Sequence, residues 1–387
     1  VRDVVLQPDG KIVVAGDAAV NSGYAAFLAR YTKDGKLDPS FNRTGFVTRM
    51  FDGDGYFHAA AVQSDGKIVA AGQINNRDPF HFRLVVCRFN ADGSPDRTFG
   101  VAGQVVVDRF EDNTAYDLII DASGRIVTAG NAKVGGQFHI LLCRFTPRGT
   151  LDTAFASNGC YVSSSTLDAA YSLSPRADGA LIVAGVTYDA ETQIWMPAFF
   201  SFLPDSMKGA SAAETGRLVL SKLQGSFIAV ASSNDAIVAA GYASFNDGAS
   251  VYTYLSPTVF QLDGRGVPVA AVNQILAIEL SVLNLQGLNM IVTDVAIAPD
   301  GKIVFCGYQY GLDENSYDIF VSRLQRDGSI DLQFGQGGLV LCDFGGTFEI
   351  DPSLVVAKDG SIILAGNTSR AYRELDNEDV FLLKLHP

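Results

Sequence analysis

The side chains in this sequence whose types and spacing could do chemistry are short carboxylate pairs with aromatics set among them. Asp189 with Glu191, and Asp376 with Glu378, are pairs of the kind that divide acid from base or nucleophile in glycoside cleavage. Asp52-Gly53-Asp54-Gly55 has the letters of a calcium loop's first half but lacks the later ligands, including the bidentate Glu. Acidic turns produce the same letters with no chemistry attached. The four histidines, His58, His81, His139 and His386, have no zinc-ligand spacing, and no Gly-x-Ser-x-Gly elbow, phosphate loop or dinucleotide fingerprint occurs. The five cysteines (Cys87, Cys143, Cys160, Cys306, Cys342) are odd in number and have no metal spacing. Cys87 and Cys143 each precede an Arg at one recurring place, and they read as small buried hydrophobes outside any disulfide framework.

What must position these groups is a repeat. Pro8-Asp9-Gly10-Lys11-Ile12-Val13-Val14-Ala15-Gly16 returns, in variant form, with closing glycines at Gly72, Gly130, Gly185, Gly241, Gly307 and Gly366. The glycines lie roughly 55 to 66 residues apart, a period that signals a repeat architecture. In the first repeat four β-rich segments are expected, at about 1–7, 11–18, 25–32 and 45–51, bounded by Gly, Asp, Asn and Pro. Pro-Asp-Gly joins the first two as a tight turn in which Gly takes the positive φ. Four antiparallel strands per repeat predict one propeller blade each. The expectation is an all-β, seven-bladed β-propeller of four-stranded antiparallel blades in one domain, 1–387. Its blades fall at about 1–56, 57–113, 114–169, 170–225, 226–291, 292–350 and 351–387. The chain opens on a first strand and stops on a third. The last blade is therefore expected to have three strands, or to draw its fourth from sequence ahead of Val1. Residues 270–285 are ambiguous between strand and helix.

The pairing of PDGKIVVAG with a following ARYTKDGKLDPSF resembles the delta-60 repeat family of bacterial β-propellers. The second element returns at 87–100, 144–155 and 323–335, so four repeats match throughout and three keep only the first phrase. The resemblance implies the propeller fold and a bacterial, cell-envelope or secreted setting. It implies no activity and no catalytic residues.

Comparing the repeats with one another adds a structural pair. Arg30, Arg88, Arg144 and Arg323 are each followed eight residues later by Asp38, Asp96, Asp152 and Asp331. Where Phe202 and Phe260 replace the Arg, the Asp-x-x-Phe element is lost as well. Co-loss predicts a charge-assisted pair that anchors the connector. A second recurring position holds Asp3, Asp117, Ser172, Asp294 and Ser353, on what should be the innermost strand, where they are expected to line a central channel.

A net charge of −13 and a pI near 4.7 argue against nucleic acid and anionic membrane surfaces as partners. By the expected strand boundaries most of the excess falls in the second-to-third and blade-to-blade loops, hence on one face. That face carries the candidate binding residues Asp52, Asp54, Tyr56, Glu111, Asp112, Tyr188, Trp195, Tyr308 and Tyr310, together with Phe80, Tyr242, Phe245 and Tyr372. Trp195 is the sole Trp. Loop aromatics beside acids suit a protein, peptide or carbohydrate partner. The same residues would equally serve to pack loops on blade edges. No cofactor is indicated; calcium is the one ion that oxygen-rich loops without soft ligands would admit. No apolar run is long enough for a transmembrane span, and no signal segment is visible in the chain. The leading expectation is a non-enzymatic binding or adhesion scaffold, extracellular or in the cell envelope, that uses the acidic face. The alternative is a carbohydrate-active enzyme, a hydrolase or lyase, with its site at the channel mouth.

Overall fold

The computed structural model describes residues 1–20, 23–77, 79–164, 167–176, 178–203, 214–220, 224–233, 236–246, 251–262, 268–271, 290–310, 317–344, 348–369 and 379–386. The ambiguous segment 270–285 lies almost wholly outside them. In the first repeat Asp3–Leu6 pairs with Ile12–Val20, which pairs with Gly23–Tyr31, which pairs with Phe46–Arg49. The Pro-Asp-Gly turn closes with the Gly10 amide donating to the Gln7 carbonyl at 2.9 Å, and Gly10 has a φ of 85°. Interior strands read as unbroken apolar runs because both faces are covered: Ile140, Leu141 and Leu142 are all fully buried.

The chain is an all-β propeller, but the expected seven blades are corrected to six sheets. Five are four-stranded, with sequence neighbours paired. In the sixth, Tyr317–Leu324 pairs parallel with Phe348–Val356 through Tyr317 and Phe348, which joins the last strands to the preceding group. The chain's end, Phe348–Val356, Ile362–Ser369 and Asp379–Leu385, contributes three strands to this sheet. Hydrogen bonding between neighbouring repeats, which the repeat count cannot reveal, lowers the number of sheets. Among the described residues no helix is long and apolar enough to cross a membrane.

Cα packing divides the chain into two compact units, 1–175 with 203–213, and 176–202 with 214–387. The first unit's core holds Val69, Val86, Phe99, Leu141 and Phe145 in one cluster and Val13, Leu28, Phe41, Phe57 and Phe89 in another. In the second unit, Ile182, Phe199 and Phe227 form one cluster, Val238, Phe305 and Phe320 a second, and Ile319, Leu364 and Phe381 a third.

The closing glycines have a steric reason. Opposite Gly72, Gly130, Gly241 and Gly307 the first strand of the sheet carries a β-bulge. The bulge drives a carbonyl against the glycine. A Cβ would stand 2.0 Å from the Tyr56 oxygen at Gly72 and 1.9 Å from the Ile291 oxygen at Gly307.

Each recurring Arg donates from Nε to the Asp eight residues on, at 2.9 Å for Arg30–Asp38 and 2.8 Å for Arg88–Asp96, Arg144–Asp152 and Arg323–Asp331. Its guanidinium lies 4.6–4.8 Å over the connector's Phe: Phe41, Phe99, Phe155 and Phe334. Arg30 and Arg88 also donate to the next repeat, to the carbonyls of Ala91 and Pro147. The turn lysines Lys11, Lys67 and Lys302 reach the same carboxylates of Asp38, Asp96 and Asp331.

Burial alone would raise the Asp96 carboxyl. Hydrogen bonds from Thr98 and Lys67 and the Arg88 charge outweigh it and hold the group well below the usual carboxylate range. Asp38 is held down in the same way by Ser40, Lys11 and Arg30. A folded pKa depressed below the unfolded value of about 3.9 gives stability that is present above that pH and lost as pH falls through the folded pKa. Asp96→Asn is therefore expected to lower the thermal midpoint at neutral pH, with the gap to wild type narrowing below about pH 4. A constant gap from neutral pH to pH 3 would remove the ionic explanation.

One expectation about cysteine is corrected. Cys143 and Cys160 form a disulfide, directly opposite in register on Gln137–Phe145 and Cys160–Val162, with Cα atoms 4.2 Å apart. The length of the connector between these strands hides that register from the sequence.

Candidate functional site

The acidic loop segments Asp52–Asp54 and Asp108–Asp112 flank the hairpin that joins Ile68–Arg77 to Phe80–Phe89, and the hairpin's cations bind both. Arg83 donates to Asp52 on one side. Arg77 grips Asp54 through Nε at 2.8 Å and Nη2 at 2.9 Å. On the other side His81 meets Asp108 at 2.6 Å, the Glu111 carbonyl, and Asp112 at 3.7 Å. Its pKa is raised, first by the Asp108 hydrogen bond. Asp54 also accepts the Tyr24 amide at 2.9 Å and is buried, whereas Asp52 is exposed. Hydrogen bonds from Arg83 and Arg77 hold Asp52 and Asp54, respectively, below their ordinary pKa.

Around the first of these segments lies a cavity of about 490 Å³. Val20, Tyr24, Met50, Phe51, Asp52, Asp54, Asn76 and Arg77 line it. Its walls thus combine apolar and aromatic surface with two ionised carboxylates and a guanidinium. The calcium expectation meets a different use of these acids, since Asp52 and Asp54 are each bound by an arginine. Among the described residues no group of three or more His, Cys, Asp or Glu side chains could hold a metal ion.

The other candidates lie elsewhere. Both Glu111 carboxylate oxygens receive the Gly136 amide at 3.1 Å, and Asp112 receives the Phe82 amide at 3.0 Å. In the second unit Tyr188 and Trp195 are cross-strand neighbours with ring centroids 5.1 Å apart, and Trp195 is exposed. Tyr308 meets the edge of Tyr317 at 5.6 Å. The side chains of Tyr310, Phe245 and Tyr372 and the pair Asp376 and Glu378 lie outside the described residues. Asp189 caps its own turn, accepting from the Glu191 amide and the Thr192 hydroxyl at 2.9 and 2.8 Å.

The acids expected to line a channel are engaged with the next repeat. Asp3 accepts the Ala60 amide at 2.7 Å. Asp117 accepts the Leu173 amide at 2.6 Å and the Ser172 hydroxyl at 3.1 Å. Asp294 accepts the Leu354 amide at 2.8 Å and the Ser353 hydroxyl at 3.0 Å. Burial, with a smaller push from Asp3, raises the Asp117 carboxyl to about 7 against these hydrogen bonds.

The position just ahead of Asp3, Ala59, Asp117 and Ser172 also recurs. At a fixed offset before the closing glycine stand Arg2, His58, Tyr116 and Tyr171, and the bulge places His58 and Tyr116 outside the regular alternation. Their strands lie side by side in the first unit. His58 and Tyr116 have centroids 5.3 Å apart, and Tyr116 and Tyr171 5.5 Å. Tyr56 stacks parallel to His58 at 6.4 Å and meets Tyr24, a cavity residue, at 5.7 Å. The fixed offset from the glycine was the available signal.

Four segments, 7–41, 63–99, 122–155 and 298–334, match a family model described as a domain of unknown function (DUF5122) beta-propeller. No curated protein matches the chain in sequence. Among solved structures the chain is similar to the polysaccharide lyase Uly1, at 10% identity and a TM-score of 0.52 over 100% of this chain and 89% of that one. It is also similar to the β-propeller domain of the Trilobed protease from Pyrococcus furiosus, at 9% identity and TM-score 0.47, covering 99% and 94% of the two chains. A protein of unknown function from Dyadobacter fermentans gives 11% and 0.44, covering 98% and 92%. Likeness at such identities is likeness of fold. The four matched segments each end on the Phe that lies beneath a recurring Arg, and they support a β-propeller repeat family of unknown function.

Proposed function

We propose that the chain is a binding scaffold built from delta-60 type repeats, which takes its partner on the acidic loop face of the first unit. The observation that carries this reading is the cavity of about 490 Å³ bounded by Tyr24, Met50, Asp52, Asp54 and Arg77. Its volume is within the range of small-ligand sites, roughly 300–1,000 Å³, and its lining is the usual mixture of apolar wall and a few fixed polar groups. A protein, peptide or carbohydrate segment fits that chemistry. A glycoside hydrolase needs one carboxyl kept protonated by a raised pKa. Both carboxylates of this cavity are instead lowered by their arginines, which favours holding a ligand over cleaving it. The Cys143–Cys160 disulfide supports an oxidising, extracellular or envelope setting.

The test is a combined peptide and glycan array probed at low and high salt with wild type and with Asp52→Lys and Glu111→Lys, both at exposed positions. Binding is expected to weaken in both variants and with salt, because exposed charges are screened over roughly 8 Å at physiological ionic strength. A ligand indifferent to both changes, or one mapped to the Pro-Asp-Gly turns, would overturn the proposal.

A further inference from the structure

From the rings brought together by the bulges we infer a second, contiguous binding surface in the first unit, a platform for a neutral oligosaccharide chain. It is formed by Tyr56, His58, Tyr116 and Tyr171, with Tyr24 at the cavity end and the Arg2 guanidinium 5.7 Å over the Tyr56 ring. The inference deepens the binding reading above and names the ligand's chemical class.

The first argument is that the fold does not need these rings. In the second unit the same bulge position holds Ile228 and Thr293, and the Thr293 hydroxyl donates to the Pro352 carbonyl and ties one strand to the next. A small residue with one hydrogen bond therefore suffices for the joint. In the first unit the position carries two tyrosines and a histidine, and all of them are only partly buried. A bulge re-aims the side chain it carries, and here successive bulges aim rings at one another.

The second argument concerns ring chemistry. Tyr and His present an apolar face with a polar edge. A pyranose ring is built the same way, with C–H groups on its faces and hydroxyls at its rim. The rings follow one another at 5.3–6.4 Å, Tyr56 and His58 nearly parallel and Tyr116 tilted by 45° to His58 and 56° to Tyr171, so the row presents edges as well as faces. The His58 imidazole interacts with the Gln73 side chain, yet its Nε2, shielded from solvent, has no hydrogen-bond partner among the described residues, so a sugar hydroxyl is the kind of group that would satisfy it.

The third argument is charge. Burial, aided by the nearby Arg2, depresses His58 to about 3, so the imidazole is uncharged at physiological pH. The Arg2 charge is balanced by Asp17, at 2.6 Å. The platform is thus close to neutral, while its Tyr24 end opens on Asp52 and Asp54. Single-stranded nucleic acid also stacks on rings but requires a basic track for its phosphates. The chain's net charge of −13 opposes phosphate binding of that kind. The same acids disfavour a polyuronate.

The experiment is a glycan array of neutral and uronate-containing oligosaccharides, with oligo-dT as a comparison, using the full chain and Tyr116→Ala, Tyr116→Phe and His58→Ala. Circular dichroism and melting certify that each variant is folded. Wild type is expected to retain neutral oligosaccharides of three or more sugars, in preference to uronates or oligo-dT. Tyr116→Ala and His58→Ala should weaken that binding roughly tenfold or more, as loss of a central aromatic contact does. Tyr116→Phe should preserve most of it, because the face of the ring remains. Retention of only anionic glycans or oligo-dT, no retained glycan, or equal affinity in folded Tyr116→Ala would each overturn the inference. Glycan binding that survives Asp52→Lys and Glu111→Lys but not Tyr116→Ala would refute the acidic-face reading while leaving the platform standing.

Discussion

Arg88→Ala is expected to destabilise the protein by about 3–5 kcal/mol, because removing one partner of a buried pair leaves the other charge uncompensated. Both side chains are nearly inaccessible, 7% exposed for Arg88 and 4% for Asp96. Three contacts disappear together. The Nε hydrogen bond to Asp96 is 2.8 Å, the guanidinium lies 4.6 Å over Phe99, and Nη1 donates to the Pro147 carbonyl of the next repeat at 2.6 Å. Lys67, 3.2 Å from Asp96, remains and should keep the loss toward the lower end. Arg88→Lys restores charge but not the planar fork, so it should recover the smaller part. The internal control is Arg2→Ala, whose pair with Asp17 is 41% exposed on the Arg side and is worth about 1 kcal/mol or less. Urea denaturation of the three variants decides the matter. If Arg88→Ala were no worse than Arg2→Ala, the Arg–Asp pair would be ornament on the repeat and would not hold its connector.

The difference between what could and could not be read from the sequence is physical. The Arg–Asp spacing was legible because one repeat unit brings both residues together through a connector of constant length. The closing glycines were legible as a period, though not as a steric requirement. Asp117 and Tyr116 show where reading stopped. Strict alternation along Asp112–Ile120 assigns faces by odd and even position, but the bulge inserts one residue opposite Gly130. It turns Asp117 to the Leu173 amide and leaves Tyr116 beside His58 and Tyr171. The acid expected to line a channel latches its strand to the next repeat, and its neighbour Tyr116 meets other rings. Trp195, prominent by its rarity, turned out to be half of a hairpin pair with Tyr188. Register across long connectors was equally hidden, which is why Cys143 met Cys160 unannounced. The parallel contact of Tyr317 with Phe348 likewise changed the sheet count.

Gly130→Ala tests the device on which this arrangement depends, and it should cost about 3 kcal/mol or more, the upper end for forcing atoms into a packed core. The glycine's own φ is not in the left-handed region, so an alanine backbone could adopt it without strain. The obstacle is contact alone. The new methyl would stand 2.0 Å from the Thr114 carbonyl oxygen and 2.8 Å from its carbon. Those atoms belong to the bulged strand and cannot rotate away as a side chain would. Gly35→Ala is the opposite case, with a φ of 77° but nothing within 4 Å of the added methyl. That substitution should cost only the backbone penalty of about 1–2 kcal/mol. The bulge itself is the part of the sheet that can yield. A Gly130→Ala protein that still folds is therefore expected to straighten Asp112–Ile120 and swing Tyr116 away from His58. Its near-ultraviolet circular dichroism should change, and glycan binding should fall as in Tyr116→Ala. Equal stability of Gly130→Ala and Gly35→Ala would show that the carbonyl contact tolerates a methyl. The repeated glycine would then need another explanation, and the bulge would lose its role in placing the rings.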